Sequence, residues 1–136
     1  MSGEHDLETL FRTMTARLVE GVYVFATLPD HDVPEGVDAR MTFHEEEGTT
    51  LILLRTEAEA HGIAYEFPCR MITLNVHSAL EAVGFIARIA TALAREGMGV
   101  NPVAGYFHDH LFVPDGRQDD ALHVLQRLTQ DALSDV

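Results

Sequence analysis

The sequence predicts an α+β fold: two ferredoxin-like units of the βαββαβ type, with antiparallel sheets and helices on one face. Three observations carry this. Short runs rich in β-branched and aromatic residues recur along the whole chain. The second half reads strand, helix, strand, strand, helix. The first half reads three strands, a helix and a strand after an opening helix. The boundary is expected between residues 68 and 69, giving units 1–68 and 69–136. Units of about 65 residues have marginal cores of their own, so the halves are expected to pack together.

The elements follow in order. Asp6 is placed to cap a short helix whose Leu7, Leu10, Phe11 and Met14 form one apolar stripe. Gly21 breaks the chain before a strand, Val22 to Leu28, that stops at Pro29-Asp30. A polar loop with Pro34 and Gly36 follows. Met41-Thr42-Phe43 and Thr50 to Leu54 predict a hairpin with Glu45, Glu46 and Glu47 at its solvated tip. Arg55 to His61 suits a short helix ended by Gly62. Ile63 to Phe67 is expected as a strand ended by Pro68.

Met71 to Val76 begins the second half as a strand. Ser78 and Glu81 match a Ser-x-x-Glu capping box, which predicts a long helix from Ala79 to Glu96. Its packing face is expected to be Val83, Ile86, Ala87, Ala90, Leu93 and Ala94. Gly97 ends it. Val100 to Tyr106 and His110 to Val113 are expected as strands around a tight turn. A last helix, Asp115 to Leu133, places Ala121, Leu125, Leu128 and Ala132 on one face.

Composition excludes several function classes. The chain has 136 residues, 46% hydrophobic and 23% charged, which is ordinary for a folded globule. Its nine basic residues are all Arg and stand against 22 acids, a formal net charge of −13. Residues 1–68 hold 14 acids and 4 Arg, and residues 69–136 hold 8 acids and 5 Arg. Such a surface repels phosphate backbones and anionic lipid, so neither nucleic acid nor membrane is an expected partner. The longest apolar stretch, Ala82 to Ala94, is interrupted by Arg88 and too short to span a bilayer. The acidic first ten residues lack the pattern of a signal peptide. One cysteine, Cys69, allows no internal disulfide and is expected to be a small buried apolar residue. A cytoplasmic setting is the expectation.

The run Gly84 to Asn101, GFIARIATALAREGMGVN, resembles the helix and following strand of an ACT domain. HSALEAVG (His77–Gly84) and NPVAGYFHDHLFVP (Asn101–Pro114) resemble more closely a group of small bacterial tandem ACT proteins of unassigned function. Gly21 to Pro29 and Glu47 to Leu51 are similar to the same group. The resemblance implies two ACT units, related to the regulatory domains of aspartate kinases and to the CASTOR arginine sensors. It implies a non-catalytic sensor that binds a small ligand, usually an amino acid, near an interface between units. A homodimer and a separate regulated protein are implied with it. No cofactor and no resident metal are expected.

The resemblance puts the ligand-binding residues at His77, Ser78, Ala79, Leu80 and Glu81, and at Asn101, Val103, Gly105, Tyr106, His108, Asp109 and His110. The helix start offers unpaired N–H donors for a ligand carboxylate. Ser78 caps that helix or binds the carboxylate. His77 faces the ligand or is a turn residue. Glu81 accepts an ammonium or completes the capping box. Asn101 reaches a carboxylate or caps an edge. Gly105 permits a bulge or close backbone approach. Tyr106 and Phe107 are expected on opposite faces, one in the core. His108 and His110 are either a polar rim or two ligands of a divalent ion, a site that lacks a third ligand. Asp109 is expected in the turn between strands. Arg70 can pair with an acid. Two other functions stay open: a small enzyme using the histidines and Asp109, with or without metal, and an interaction domain that needs no ligand.

Overall fold

A computed structural model describes residues 3–134. Along the chain run α1 (Leu7–Thr13), β1 (Thr15–Leu18), β2 (Tyr23–Leu28), β3 (Met41–His44), β4 (Thr49–Leu54), α2 (Arg55–Ala60), β5 (Glu66–Asn75), α3 (Phe85–Arg95), β6 (Asn101–Ala104), β7 (Asp109–Pro114) and α4 (Gln118–Ser134). Two compact units result. One is Glu20–Cys69; the other joins the residues up to Val19 with those from Arg70 onward. The expected boundary at 68/69 falls inside β5, and the ends of the expected units, residues 1 and 136, lie outside the described residues.

Within Glu20–Cys69 the ladder order is β3-β4-β2-β5, antiparallel throughout. Taken in chain order, this is the strand arrangement of a ferredoxin-like unit in which the Pro29–Arg40 loop stands in place of the first helix. Val24, Ala26, Leu51 and Leu53 point to one face and bury against Ala58 of α2 and Ile63. On the alternate face Tyr23, Ile52 and Cys69 are buried, and the Cys69 thiol donates to the Tyr23 carbonyl at 3.3 Å.

Pro68 does not end a strand. Tyr23 pairs with Cys69 and Phe25 with Glu66, so three steps on β5 face two on β2. This is a β-bulge. Phe67 takes up the extra residue in the left-handed region, φ 56°, and the bulge accommodates the missing N–H of Pro68. Residues 63–65 lie outside the strand.

The second unit has ladder order β1-β5-β7-β6. The strand β1, absent from the sequence expectation, pairs from Thr15↔Asn75 to Leu18↔Ile72. From β5 the order is strand, α3, β6, β7, α4, and β1 supplies the fourth strand from the other end of the chain. The unit is a ferredoxin-like fold with its last strand encoded first. Four residues carry the β1 signal, T-A-R-L with alternate exposure. No run so short between a helix and Gly21 registers as a strand from sequence alone. Ile72, Leu74, Leu111 and Val113 of the sheet bury against Phe85, Ile89 and Leu93 of α3, Leu10 and Phe11 of α1, and Ala121, Val124 and Leu125 of α4.

The helix expected over residues 79–96 is shorter: α3 begins at Phe85, with Gly84 as N-cap in the left-handed region, φ 92°. Its buried face is Phe85, Ile89 and Leu93, one residue in four. Of the expected face only Leu93 is buried; Ala87 and Ala94 are exposed, and Val83 lies before the helix at 85% exposure. At α1 the expected cap holds: Asp6 accepts from the Thr9 hydroxyl at 2.6 Å and its N–H at 3.2 Å.

Candidate functional site

The capping box fails because the Ser78 hydroxyl is committed elsewhere. It donates to Asp109 Oδ2 at 2.8 Å, a bond between two residues of which 9% and 7% of the surface remain exposed. Asp109 is therefore not a turn residue. It is the first residue of β7, opposite Ala104 of β6. Glu81 is exposed and lies in an irregular stretch, held by the Ala82 N–H bonding to the Ala79 carbonyl at 3.0 Å. Without Ser78, α3 starts on a glycine and no side chain caps it.

The loop that carries Ser78 is held from outside by the opening residues. The Glu4 N–H donates to the His77 carbonyl at 2.8 Å, and the Ala79 N–H donates to the Glu4 carbonyl at 2.9 Å. Gly3 packs so closely here that a Cβ would stand 2.6 Å from the Ala79 nitrogen, at a φ of +97°. Leu7 meets Gly84, and Glu8 pairs with Arg88 at 3.2 Å. This segment and α1 together brace both ends of the irregular stretch.

A cleft of ≈ 190 Å³ opens between this stretch and the β6–β7 hairpin. Ser78, Ala79, Leu80 and Ala82 form one wall, Gly84 to Ala87 of the α3 start a second, and Ala104 with Asp109 a third. The first N–H groups of α3 have no intrahelical acceptor and sit at the positive end of the helix dipole. The cleft thus sets donors for an anion near a carboxylate that accepts a cation, within one compact unit.

Of the expected site residues, Ser78, Ala79, Leu80 and Asp109 line this cleft; the others do not. His77 is half-buried, its ring 5.4 Å from Phe107 and 6.5 Å from Tyr106. Tyr106 and Phe107 are exposed together at the hairpin tip, 64% and 60%, so neither enters the core. Asn101 is exposed opposite Phe112, and Val103 stands opposite His110. Gly105 closes the hairpin by donating to the His108 carbonyl at 2.9 Å, where a Cβ would press on that same oxygen. His110 Nδ1 lies 3.0 Å from Thr73 Oγ1, and His108 Nδ1 3.5 Å from the Val76 carbonyl. Among the described residues no group of three His, Cys, Asp or Glu side chains converges as metal ligands would. Ala82, Gly84 to Ala87 and Ala104 complete the cleft unforeseen. The signal at Gly84 is a glycine before an apolar helix, which the capping-box pattern places in the helix interior.

Two of the larger hollows lack this chemistry. A groove of ≈ 390 Å³ beside α4 is lined by Met14, Ala16, Leu122 and Leu125 with Thr15, Gln126 and Thr129, and carries no charge. In the Glu20–Cys69 unit a shallow hollow of ≈ 410 Å³ over Phe25, Thr27, Thr50 and Tyr65 holds only Glu66 as a charged group. Arg70 does pair with Asp115, at 4.0 Å. No helix among the described residues is long and apolar enough to cross a membrane.

Two ferredoxin-like units in one short chain, with a cleft at a helix start in one of them, define a tandem ferredoxin-like module. Models of the ACT domain match residues 2–70 and 66–127. The chain belongs to the ACT-domain family, whose members are generally regulatory modules that bind small molecules. It is similar to a Vibrio cholerae protein of unknown function described as a possible transport protein, with 38% identity and a TM-score of 0.80 over 90% of this chain and 95% of that one. An Agrobacterium tumefaciens protein shares the fold at 16% identity, TM-score 0.73, over 85% of this chain and 89% of that one. So does the regulatory subunit of aspartate kinase from Thermus flavus, at 11% identity and TM-score 0.63, over 84% and 96% of the two chains. Comparison with curated proteins finds no match.

Proposed function

We propose that this protein is a non-catalytic sensor that binds a free amino acid in the cleft at the start of α3. One observation carries the reading: the uncapped N-terminus of α3 and the Asp109 carboxylate line the same ≈ 190 Å³ cleft. An α-amino acid presents a carboxylate and an ammonium two bonds apart, and the cleft offers N–H donors to the first and an acceptor to the second. The likeness to aspartate kinase regulatory subunits supports the reading at the level of fold. In this reading the chain is a tandem with its sequence boundary at 68/69, works as a cytoplasmic homodimer, and acts on a separate protein.

The test is a thermal-shift screen of the full chain against the twenty amino acids. A ligand at a hundredfold excess over Kd stabilises by about 2.7 kcal/mol. A selective shift supports the sensor, and no shift with any amino acid overturns it. A second reading, a surface for a partner protein, is favoured by a different observation. Leu80, Val83, Tyr106 and Phe107 are all 60–85% exposed on neighbouring loops. That reading requires no metabolite response and a stability that depends on protein concentration.

A further inference from the structure

Resting on that reading of the cleft, we infer that Asp109 selects the ligand by charge: the site takes a small amino acid with a free ammonium and a neutral side chain, and rejects acidic ones. Only Oδ2 of the Asp109 carboxylate is engaged, by the Ser78 hydroxyl at 2.8 Å. Among the described residues no hydrogen bond or ion pair reaches Oδ1. Every sealed side-chain nitrogen or oxygen among those residues has a partner. Oδ1 has none, so it faces open space, and the space that the 7%-exposed Asp109 lines is the cleft. One acceptor is left there for a donor that the described residues do not supply.

The rest of the lining decides the sign. No Arg and no His lines the cleft; Ala79, Ala82, Ala87 and Ala104 contribute methyl groups, and Leu80 and Ile86 aliphatic ones. The nearest guanidinium in sequence, Arg88, is engaged by Glu8. A ligand ammonium completes the carboxylate with a charge-assisted hydrogen bond. A ligand with a second carboxylate brings a like charge beside the Asp109 carboxylate with no cationic side chain in the lining to offset it, which is selection by repulsion. Size points the same way, because ≈ 190 Å³ is below the roughly 300–1,000 Å³ of clefts that hold larger ligands.

Isothermal titration of the full chain with glycine, L-alanine, L-serine, L-aspartate, L-glutamate, L-phenylalanine and N-acetyl-L-alanine tests this. The neutral small amino acids are expected to bind, the two acidic ones about tenfold weaker or worse, phenylalanine weaker than alanine, and N-acetyl-L-alanine not at all, since it lacks the ammonium. Asp109→Asn is expected to lose about tenfold in alanine affinity and to narrow the gap between alanine and aspartate. If that variant does not fold by circular dichroism, the wild-type comparison decides alone. Aspartate or N-acetyl-L-alanine binding as tightly as alanine overturns the charge filter and leaves the amino-acid sensor standing. A wild type that binds none of the six amino acids titrated overturns the filter, and one that shifts with none of the twenty in the thermal screen overturns the sensor itself.

Discussion

The Ser78 hydroxyl, 2.8 Å from Asp109 Oδ2, ties the loop after β5 to the start of β7 across a gap of 31 residues in sequence. A side chain that sequence pattern assigns to a helix cap is instead half of a buried pair, and the helix starts six residues later than the cap implies. The irregular stretch this releases is one wall of the cleft.

Ser78→Ala leaves the Asp109 carboxylate buried without its donor. We expect a loss of about 1–3 kcal/mol in urea unfolding, the cost of an unsatisfied buried group. Asp109→Asn combined with Ser78→Ala should not add, with a coupling of about 0.5–3 kcal/mol. Additive losses would mean that the two residues do not depend on each other.

Gly3→Ala is expected to detach the opening segment from the Ser78 loop. The alanine would take a left-handed conformation that costs about 1–2 kcal/mol and would press its Cβ on backbone atoms of Ser78 and Ala79. Hydrogen exchange at the Glu4 and Ala79 amides should accelerate while the α4 core amides stay protected. Unchanged exchange at those two amides would contradict the brace.

Ile89→Ala and Leu93→Ala should each cost about 2–5 kcal/mol, because both side chains are fully buried. Val83→Ala should change stability by no more than about 0.5 kcal/mol, since Val83 is 85% exposed. Comparable losses at Val83 and Ile89 would restore the longer helix.

Asp6 supplies a pH dependence. The Thr9 hydroxyl and then the Thr9 N–H hold its carboxyl below the usual aspartate range. A carboxyl with a lowered pKa in the folded state stabilises above its unfolded pKa and loses that contribution as pH falls through the folded value. The melting-temperature gap between wild type and Asp6→Ala should be widest near neutral pH and close in acid below the ordinary aspartate range. A gap that is constant with pH would assign the loss to something other than the charge.

Much of the fold was legible because its elements are amphipathic and well punctuated. The β3–β4 hairpin, α2 with Gly62 beyond it, and α4 fall where periodicity and turn residues put them. What was not legible is long-range. A four-residue strand such as β1 is defined by its partner β5, and no local pattern reveals that the second unit takes its last strand from the start of the chain. Pro68 signals a strand end locally, and only the partner β2 shows the bulge that carries β5 past it. The site follows the same division. Ser78, Ala79 and Leu80 reach the cleft through a local loop, and Asp109 through the hairpin register. His108, Asp109 and His110 read as one cluster in sequence, but strand alternation turns Asp109 away from His110, which bonds Thr73.

The most direct test is amide chemical-shift mapping on the full chain with the amino acid that gives the largest thermal shift. The sensor reading requires saturable shifts concentrated at the α3 start, Gly84 to Ala87, and at Ser78, Ala104 and Asp109. Saturable shifts confined to other residues, or none, would contradict a ligand site at the start of α3.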